Sequence, residues 1–291
     1  MTTVVSPLTA ALAASRTSGI TADGIVPLRQ HAASIFLAPK DGVVLKVSPA
    51  SQTTQLAKSL EFVRWLLSKG FPATEPIDLP QPLKIGPYAV TLWRHYPQTR
   101  LEPPSAGSLG SLLRELHALG EPPMDLRNYE PLASLREALA GEARLPDARR
   151  QWLTSEIDEL TDQYEHLVSA IGIGHIHADA YPGNLMWDGA EVRLGDWDEV
   201  AVGPRELDLA NTFQGVRFGR STLDLDEFAE RYGRDPRNWK GLAVLCRIRD
   251  LHTLTTFLRQ AARGDVEAAR EIDHRLTTLM SGDDAARWNR A

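Results

Sequence analysis

The sequence predicts an α+β protein of two lobes, the first β-rich with one main helix and the second mainly helical. Three observations lead there. Short alternating apolar runs fill the first ninety or so residues, proline-bracketed helical periodicities fill most of the rest, and one hairpin signal at Asp188-Gly189 interrupts the helical part. The boundary falls near residue 94, giving a lobe over 1–94 and a lobe over 95–291 that carries the segment 175–198. A chain of 291 residues is long enough for two such domains.

In chain order, the run Ala10-Ala11-Leu12-Ala13-Ala14 comes first. It is short, is interrupted by Thr9 and Ser15, and has no Lys or Arg before it, so a surface helix is expected rather than an export signal. Strand candidates follow at 24–28, 34–37 and 43–47. A helix over about 52–69 carries Leu56, Leu60, Val63 and Leu67 at helical spacing and stops at Lys69-Gly70. A strand at 88–93 leads into Thr91 to Pro97, which closes the lobe as a hinge. Beyond it, Glu102-Pro103-Pro104 and Glu121-Pro122-Pro123 bracket helices near 105–119, 131–140 and 147–170, with His117 on a polar flank as a structural residue. Further helices are expected near 204–218, 224–231, 238–263 and 266–279.

Charge and composition exclude several classes of function. A net charge of −6 argues against nucleic acid or anionic membrane as partners, since both want clustered Lys and Arg. No apolar run approaches the roughly 20 residues of a membrane span. The lone cysteine, Cys246, excludes an intrachain disulfide and suits a reducing cytoplasm. Its apolar neighbours Leu242 to Leu245 make it a buried structural thiol rather than a nucleophile.

The segment His175 to Asp198 carries the chemistry. Leu185-Met186-Trp187 and Val192-Arg193-Leu194 are extended runs on either side of Asp188-Gly189, a two-residue hairpin signal. A hairpin returns its ends to one place, so Asn184 and Asp196 come side by side and offer the hard oxygen ligands that Mg²⁺ prefers. Asp179, five residues before Asn184 and ahead of Pro182-Gly183, lies on the loop beside that metal. Each residue alone would be an ordinary turn residue. Together they meet the needs of phosphoryl transfer, which asks mainly for a metal on the phosphates and a carboxylate that orients the acceptor hydroxyl. Asp198, two residues past Asp196, points the other way on an extended backbone and is expected to be a solvated carboxylate. Downstream, Gly203-Pro204 is expected to open a helix with Glu206 at its positive end.

The spacing of His177, Asp179 and Asn184, with Asp196 twelve residues later, is similar to the kinase catalytic loop and its metal-binding Asp. With Gly195-Asp196-Trp197-Asp198 and Gly203-Pro204 leading to Asp208-Leu209-Ala210, the chain resembles the aminoglycoside phosphotransferase family, small-molecule kinases of protein-kinase-like fold. The resemblance implies a bilobal kinase fold and an ATP- and Mg²⁺-dependent transfer to a hydroxylated small molecule. It makes Asp179 the catalytic base or hydroxyl-orienting residue and gives the metal to Asn184 and Asp196. Asp208 becomes either a brace for the catalytic loop or simply a first-turn helix acid.

In the first lobe, Lys46 lies alone among apolar neighbours in Val43-Val44-Leu45-Lys46-Val47, matching the family's lysine for the α and β phosphates. Either the register slips locally or Lys46 lacks its usual acidic partner on the following helix. Ser59 occupies that position, and Glu61 falls on the solvated side of the helix. The loop Arg29 to Ser34 lacks phosphate-covering glycines, with Ser34 or His31 as candidate phosphate contacts. Trp93, at the hinge, is the candidate adenine contact. The acceptor is expected to be an aminoglycoside or other amine-bearing antibiotic, or else a metabolite such as an amino alcohol or sugar. Its recognition falls to Asp224, Asp226, Glu227, Glu230 and Asp250, or to Tyr232 and Trp239. The missing acid and the glycine-free loop leave open a nucleotide-binding protein without transfer activity.

Overall fold

A computed structural model describes residues 6–30, 34–141 and 145–289. The elements begin with α1 (Pro7–Thr17), β1 (Val26–Gln30), β2 (Ser34–Ala38), β3 (Val43–Pro49), α2 (Thr53–Ser68), β4 (Leu83–Ile85) and β5 (Tyr88–Arg94). They continue with α3 (Ala106–Ala118), α4 (Ala133–Ala140), α5 (Asp147–Glu165), β6 (Ile173–Ile176), β7 (Leu185–Asp188), β8 (Glu191–Leu194) and β9 (Ala201–Pro204). Five helices follow: α6 (Glu206–Gln214), α7 (Thr222–Tyr232), α8 (Leu242–His252), α9 (Leu254–Ala262) and α10 (Val266–Met280). The chain forms two compact units. One comprises Met1–Pro104, Leu119–Leu126 and Gly183–Val200, and the other Ser105–Ala118, Arg127–Pro182 and Ala201–Ala291.

The first unit is built on an antiparallel sheet of order β1-β2-β3-β5-β4. Strand alternation sorts β3 into two faces, with Val43, Leu45 and Val47 buried and Val44 and Lys46 on the other side. The buried face joins Phe36, Val90 and Leu92 in a core that includes Ala10, Ala11 and Ala14 of α1. Helix α1 is therefore docked on the sheet by its small residues, more than the surface helix expected from sequence. Helix α2 buries Leu56, Ser59, Leu60, Phe62, Val63, Trp65 and Leu66, and Gly70 follows with φ 79°. The β7–β8 hairpin forms, one residue later than the Asp-Gly signal suggested. Asp188 pairs with Glu191, so the turn residues are Gly189, at φ 63°, and Ala190. A positive φ at the first turn position suits the twist of a two-residue hairpin and calls for glycine there.

The second unit is helical around a core that includes Leu135, Ile157, Ile176, Leu207, Ile248 and Leu276. Helices α3 and α7 pack closely because Gly110 carries no side chain. A Cβ there would lie 2.4 Å from the Phe228 carbonyl oxygen. Two strands not expected from sequence, β6 and β9, pair antiparallel with Ile173 opposite Pro204. Pro204 thus ends a strand instead of opening a helix, and α6 begins at Glu206. Proline is tolerated at such a strand end because little of the ladder is lost. The single long helix expected over 238–263 is broken into α8 and α9 at Thr253. Its hydroxyl donates back to the Asp250 carbonyl at 2.7 Å, a contact that bends helices.

Candidate active site

In the first unit the hairpin seats Asn184 next to Asp196. The Gly195 N–H donates to the Asn184 carbonyl at 2.9 Å, one step beyond the pairing of Leu185 with Leu194. Gly195 is tightly enclosed, since a Cβ would meet Thr74 Cγ2 at 2.9 Å. The next residue, Asp196, takes the left-handed conformation, φ 63° and ψ 58°, and opens one 3-10 turn over Trp197–Glu199. Strain of this kind at a non-glycine residue costs on the order of 1–3 kcal/mol and must be held by its surroundings. Trp197 supplies the hold. Its indole is buried with ring centroids 5.8 Å from both Phe62 and Phe71, and its N–H donates to the Leu194 carbonyl at 2.9 Å.

With Trp197 turned inward, Asp196 and Asp198 both reach Lys46. The Lys46 ammonium is salt-bridged to the Asp196 carboxylate and lies 2.8 Å from Asp198 Oδ2. This corrects the expectation of a solvated Asp198. That expectation assumed an extended backbone, whereas the left-handed residue and the tight turn fold the second carboxylate back to the lysine. Burial alone would lower the Lys46 pKa, but Asp196 and Asp198 hold it well above its usual value. Burial pushes the Asp198 carboxyl above its usual range against the pull of Lys46, and the neighbouring Asp196 charge adds to the push.

Asn184 and Asp196 fit a hard divalent ion by the chemistry of their donors, an amide and a carboxylate oxygen. Among the described residues no group of three or more His, Cys, Asp or Glu side chains could hold a metal. A two-ligand site of this kind suits Mg²⁺, which keeps waters and takes phosphate oxygens for the rest of its shell.

In the second unit, Asp179 sits on a loop braced from three sides. Ala178 is left-handed at φ 67°, and its N–H donates to Asp208 Oδ1 at 2.7 Å while the His177 N–H donates to Asp208 Oδ2 at 2.8 Å. His117 Nε2 lies 3.0 Å from the same Oδ2, and His117 Nδ1 lies 3.0 Å from the Tyr232 hydroxyl. Asp208 therefore clamps the loop backbone and is more than a first-turn acid, and His117 is buried beneath it and not on a flank. Burial would raise the Asp208 pKa, yet the bonds from His117 and His177 hold it below the carboxylate range.

Arg249, buried on α8, completes the brace. It donates to Asp179 Oδ1 at 2.5 Å, to the Ala178 carbonyl at 3.0 Å and to Asn211 Oδ1 at 2.8 Å. Asn211 Nδ2 in turn lies 3.5 Å from Asp179 Oδ1. Sequence reading found neither Arg249 nor Asn211. Glu206 stands in the first turn of α6 as expected, and its carboxylate also accepts from the Ala170 and Ile171 N–H groups and the Ser169 hydroxyl.

The depressed Asp208 pKa gives a signed prediction. Such a carboxylate stabilises the fold fully above its unfolded-state value near about pH 4 and loses the contribution as pH falls through the lower folded value. Asp208→Asn is expected to cost about 3 kcal/mol near neutral pH, with the gap to wild type closing below about pH 4. Urea unfolding across that range checks it.

The remaining candidates fall as follows. Trp93 lies across from Val44 on the Lys46 face of the sheet, half-buried, and donates its indole N–H to Thr91 Oγ1 at 2.9 Å. Ser34 pairs with Val47, and Ile35 pairs with Lys46. Ser34 therefore leaves the sheet on the face opposite Lys46, and its assignment to phosphate is withdrawn on that geometry. His31 lies outside the described residues. Two hinge N–H groups are already engaged, Arg94 with the Glu75 carbonyl and His95 with the Gly42 carbonyl, both at 2.8 Å.

The acidic cluster on α7 is largely engaged locally. Asp224 completes a capping box with Ser221, Asp226 pairs with Arg237 at 2.7 Å, and Glu227 accepts from the Ser105 hydroxyl at 2.9 Å. Asp250 is buried against Arg217 and Gln214. Tyr232 is buried on His117, and Trp239 packs on the helical core. Cys246 donates weakly to the Ala210 carbonyl, and burial pushes its thiol up to about 12, which excludes a thiolate nucleophile.

The model of the phosphotransferase enzyme family matches residues 30–245. The chain belongs to that family. This phosphotransferase has the kinase-like fold. It is similar to an amicoumacin kinase solved with AMP-PNP and Ca²⁺, at 11% identity over 95% of both chains with a TM-score of 0.72. A microcompartment-associated aminopropanol kinase aligns at 16% identity over 95% of this chain and 98% of the other, with a TM-score of 0.64. Aminoglycoside phosphotransferase APH(3'')-Id from Streptomyces rimosus, solved with ADP and streptomycin, aligns at 19% identity over 84% of this chain and 98% of the other, with a TM-score of 0.62. No curated protein matches the phosphotransferase by sequence. Among the described residues no helix is long and apolar enough to cross a membrane.

Proposed function

We propose that the phosphotransferase moves the γ-phosphoryl group of ATP, with Mg²⁺, onto a hydroxyl of a small amine-bearing acceptor in the cytoplasm. The observation that carries this reading is the hairpin end, where the Gly195–Asn184 bond sets a metal-type amide beside Asp196 and the following turn brings Lys46 to the same carboxylate. Asn184 and Asp196 hold the metal, which when bound neutralises charge on the phosphates. Lys46 steadies the α and β phosphates, and Trp93 lies on the sheet face that receives the nucleotide. Asp179 orients the acceptor hydroxyl and takes its proton, while Arg249 and Asn211 fix Asp179 Oδ1. The nucleotide lobe expected over 1–94 then also takes in the hairpin segment Gly183–Val200, and the acceptor lobe is the remainder of 95–291 that forms the second unit.

Support for an amine-bearing acceptor comes from the relatives, whose names include aminopropanol and streptomycin. The net charge of −6 agrees with a cationic substrate. A thermal-shift titration tests the nucleotide half of the reading. ATP with Mg²⁺ well above its dissociation constant is expected to raise Tm by about 5 °C, with a smaller shift when Mg²⁺ is withheld. No shift with ATP and Mg²⁺ contradicts it.

A further inference from the structure

We infer that Asp198 is the positioning carboxylate for Lys46, doing from the turn after Asp196 what no acid of α2 does. The inference rests on the proposed reading that Lys46 holds the nucleotide phosphates, and it names the residue that makes that possible in this chain.

Helix α2 offers Lys46 no carboxylate. Ser59 is buried and its hydroxyl has no hydrogen-bond partner, so the position carries neither a charge nor a bond to the lysine. Glu61 is 52% exposed and pairs with Lys58 at 3.3 Å. Asp198, by contrast, lies 2.8 Å from the Lys46 ammonium, with side-chain exposures of 13% for the lysine and 23% for the aspartate. A pair this far from solvent is only weakly screened, and it fixes a long flexible side chain at one place.

Asp196 cannot fill the same post once it ligates a metal, because its carboxylate is then shared with a divalent charge that repels the ammonium. Asp198 is the other carboxylate on the lysine, and it lies beyond the buried Trp197 from that metal ligand. Helix α2 still takes part, through an amide instead of an acid. The Gln55 Nε2 group donates to the Asp198 and Val200 carbonyls at 3.2 Å each, tying the helix to the turn that carries the carboxylate. Buried Trp197 anchors the same turn from below. The connection from helix to lysine thus runs from Gln55 through the turn backbone to Asp198 and on to Lys46.

Calorimetric titration of ADP in the presence of Mg²⁺ tests the assignment without any acceptor. Lys46→Met and Asp198→Asn are each expected to weaken ADP binding about tenfold, on the scale of one charge-assisted hydrogen bond. The double variant is expected to bind no more weakly than Lys46→Met alone, because Asp198 acts through the lysine. Asp198→Glu is expected to recover most of the affinity, and Asp198→Asn to leave the Mg²⁺ concentration for half-maximal binding unchanged. Losses that multiply in the double variant, a raised Mg²⁺ requirement in Asp198→Asn, or wild-type affinity in Asp198→Asn would each overturn the inference. If wild type itself fails to bind ADP, the nucleotide reading falls and this inference with it. Wild-type binding with additive variants sinks the inference alone.

Discussion

Asp179→Asn is expected to lower kcat by about a thousandfold while leaving nucleotide affinity within about twofold of wild type, the pattern of a group that acts only in the chemical step. Asparagine keeps the volume and can still accept from Arg249 Nη2, so the loop keeps its brace. What it loses is the negative charge that, in the proposed reading, aligns the acceptor hydroxyl and receives its proton. Stopped assays of ADP formation together with ADP titration separate the two effects. Wild-type turnover in the variant would remove Asp179 from the reaction, and a large loss of nucleotide affinity would mean that its charge serves the phosphates instead.

Arg249→Met is expected to act on both folding and turnover. The guanidinium is buried and joins Asp179, the Ala178 carbonyl and Asn211, so its removal leaves a half-buried carboxylate and a strained left-handed residue without their support. Breaking a buried pair by deleting one partner costs about 3–5 kcal/mol, and a loosened Asp179 is expected to cost about a hundredfold in kcat. Arg249→Lys should rescue little, because a point ammonium cannot hold three acceptors in the directions a planar fork reaches. Urea unfolding and steady-state kinetics on the two variants check this. Full activity in Arg249→Lys would show that charge alone is sufficient.

What the sequence made legible was local. Asn184, Asp196 and the hairpin between them lie within thirteen residues, and period-two and turn signals set their geometry through short-range physics. The strand of Lys46 and the helix α2 were legible for the same reason, to within a residue or two at their ends. Asp198 was misplaced because one left-handed residue, Asp196, reverses the parity on which strand reasoning depends. Ser34 was misplaced because its face is set by pairing with Val47, and sequence alone does not reveal the register between strands. Arg249 and Asn211 gave no signal, as each sits in an ordinary helix far along the chain from Asp179 and meets it only through helix packing. Asp208 was read as either a loop brace or a helix acid and Glu206 as a helix acid, and both carboxylates bind loop backbone from earlier in the chain.

The Lys46 environment also weakens the reading of a nucleotide-binding protein without transfer activity. That reading drew on the absence of an acid for the lysine, and Asp198 stands 2.8 Å away. The central claim, phosphoryl transfer to a small amine-bearing alcohol, is tested most directly by mass spectrometry of acceptors incubated with wild-type enzyme, ATP and Mg²⁺. The panel would span aminoglycosides, other amine-bearing antibiotics, amino alcohols and neutral sugars. A phosphorylated amine-bearing acceptor that forms with wild type and not with Asp179→Asn is the expected result. Phosphorylation confined to neutral sugars would contradict the acceptor class, and ATP binding with no phosphorylated product anywhere in the panel would contradict the claim of transfer.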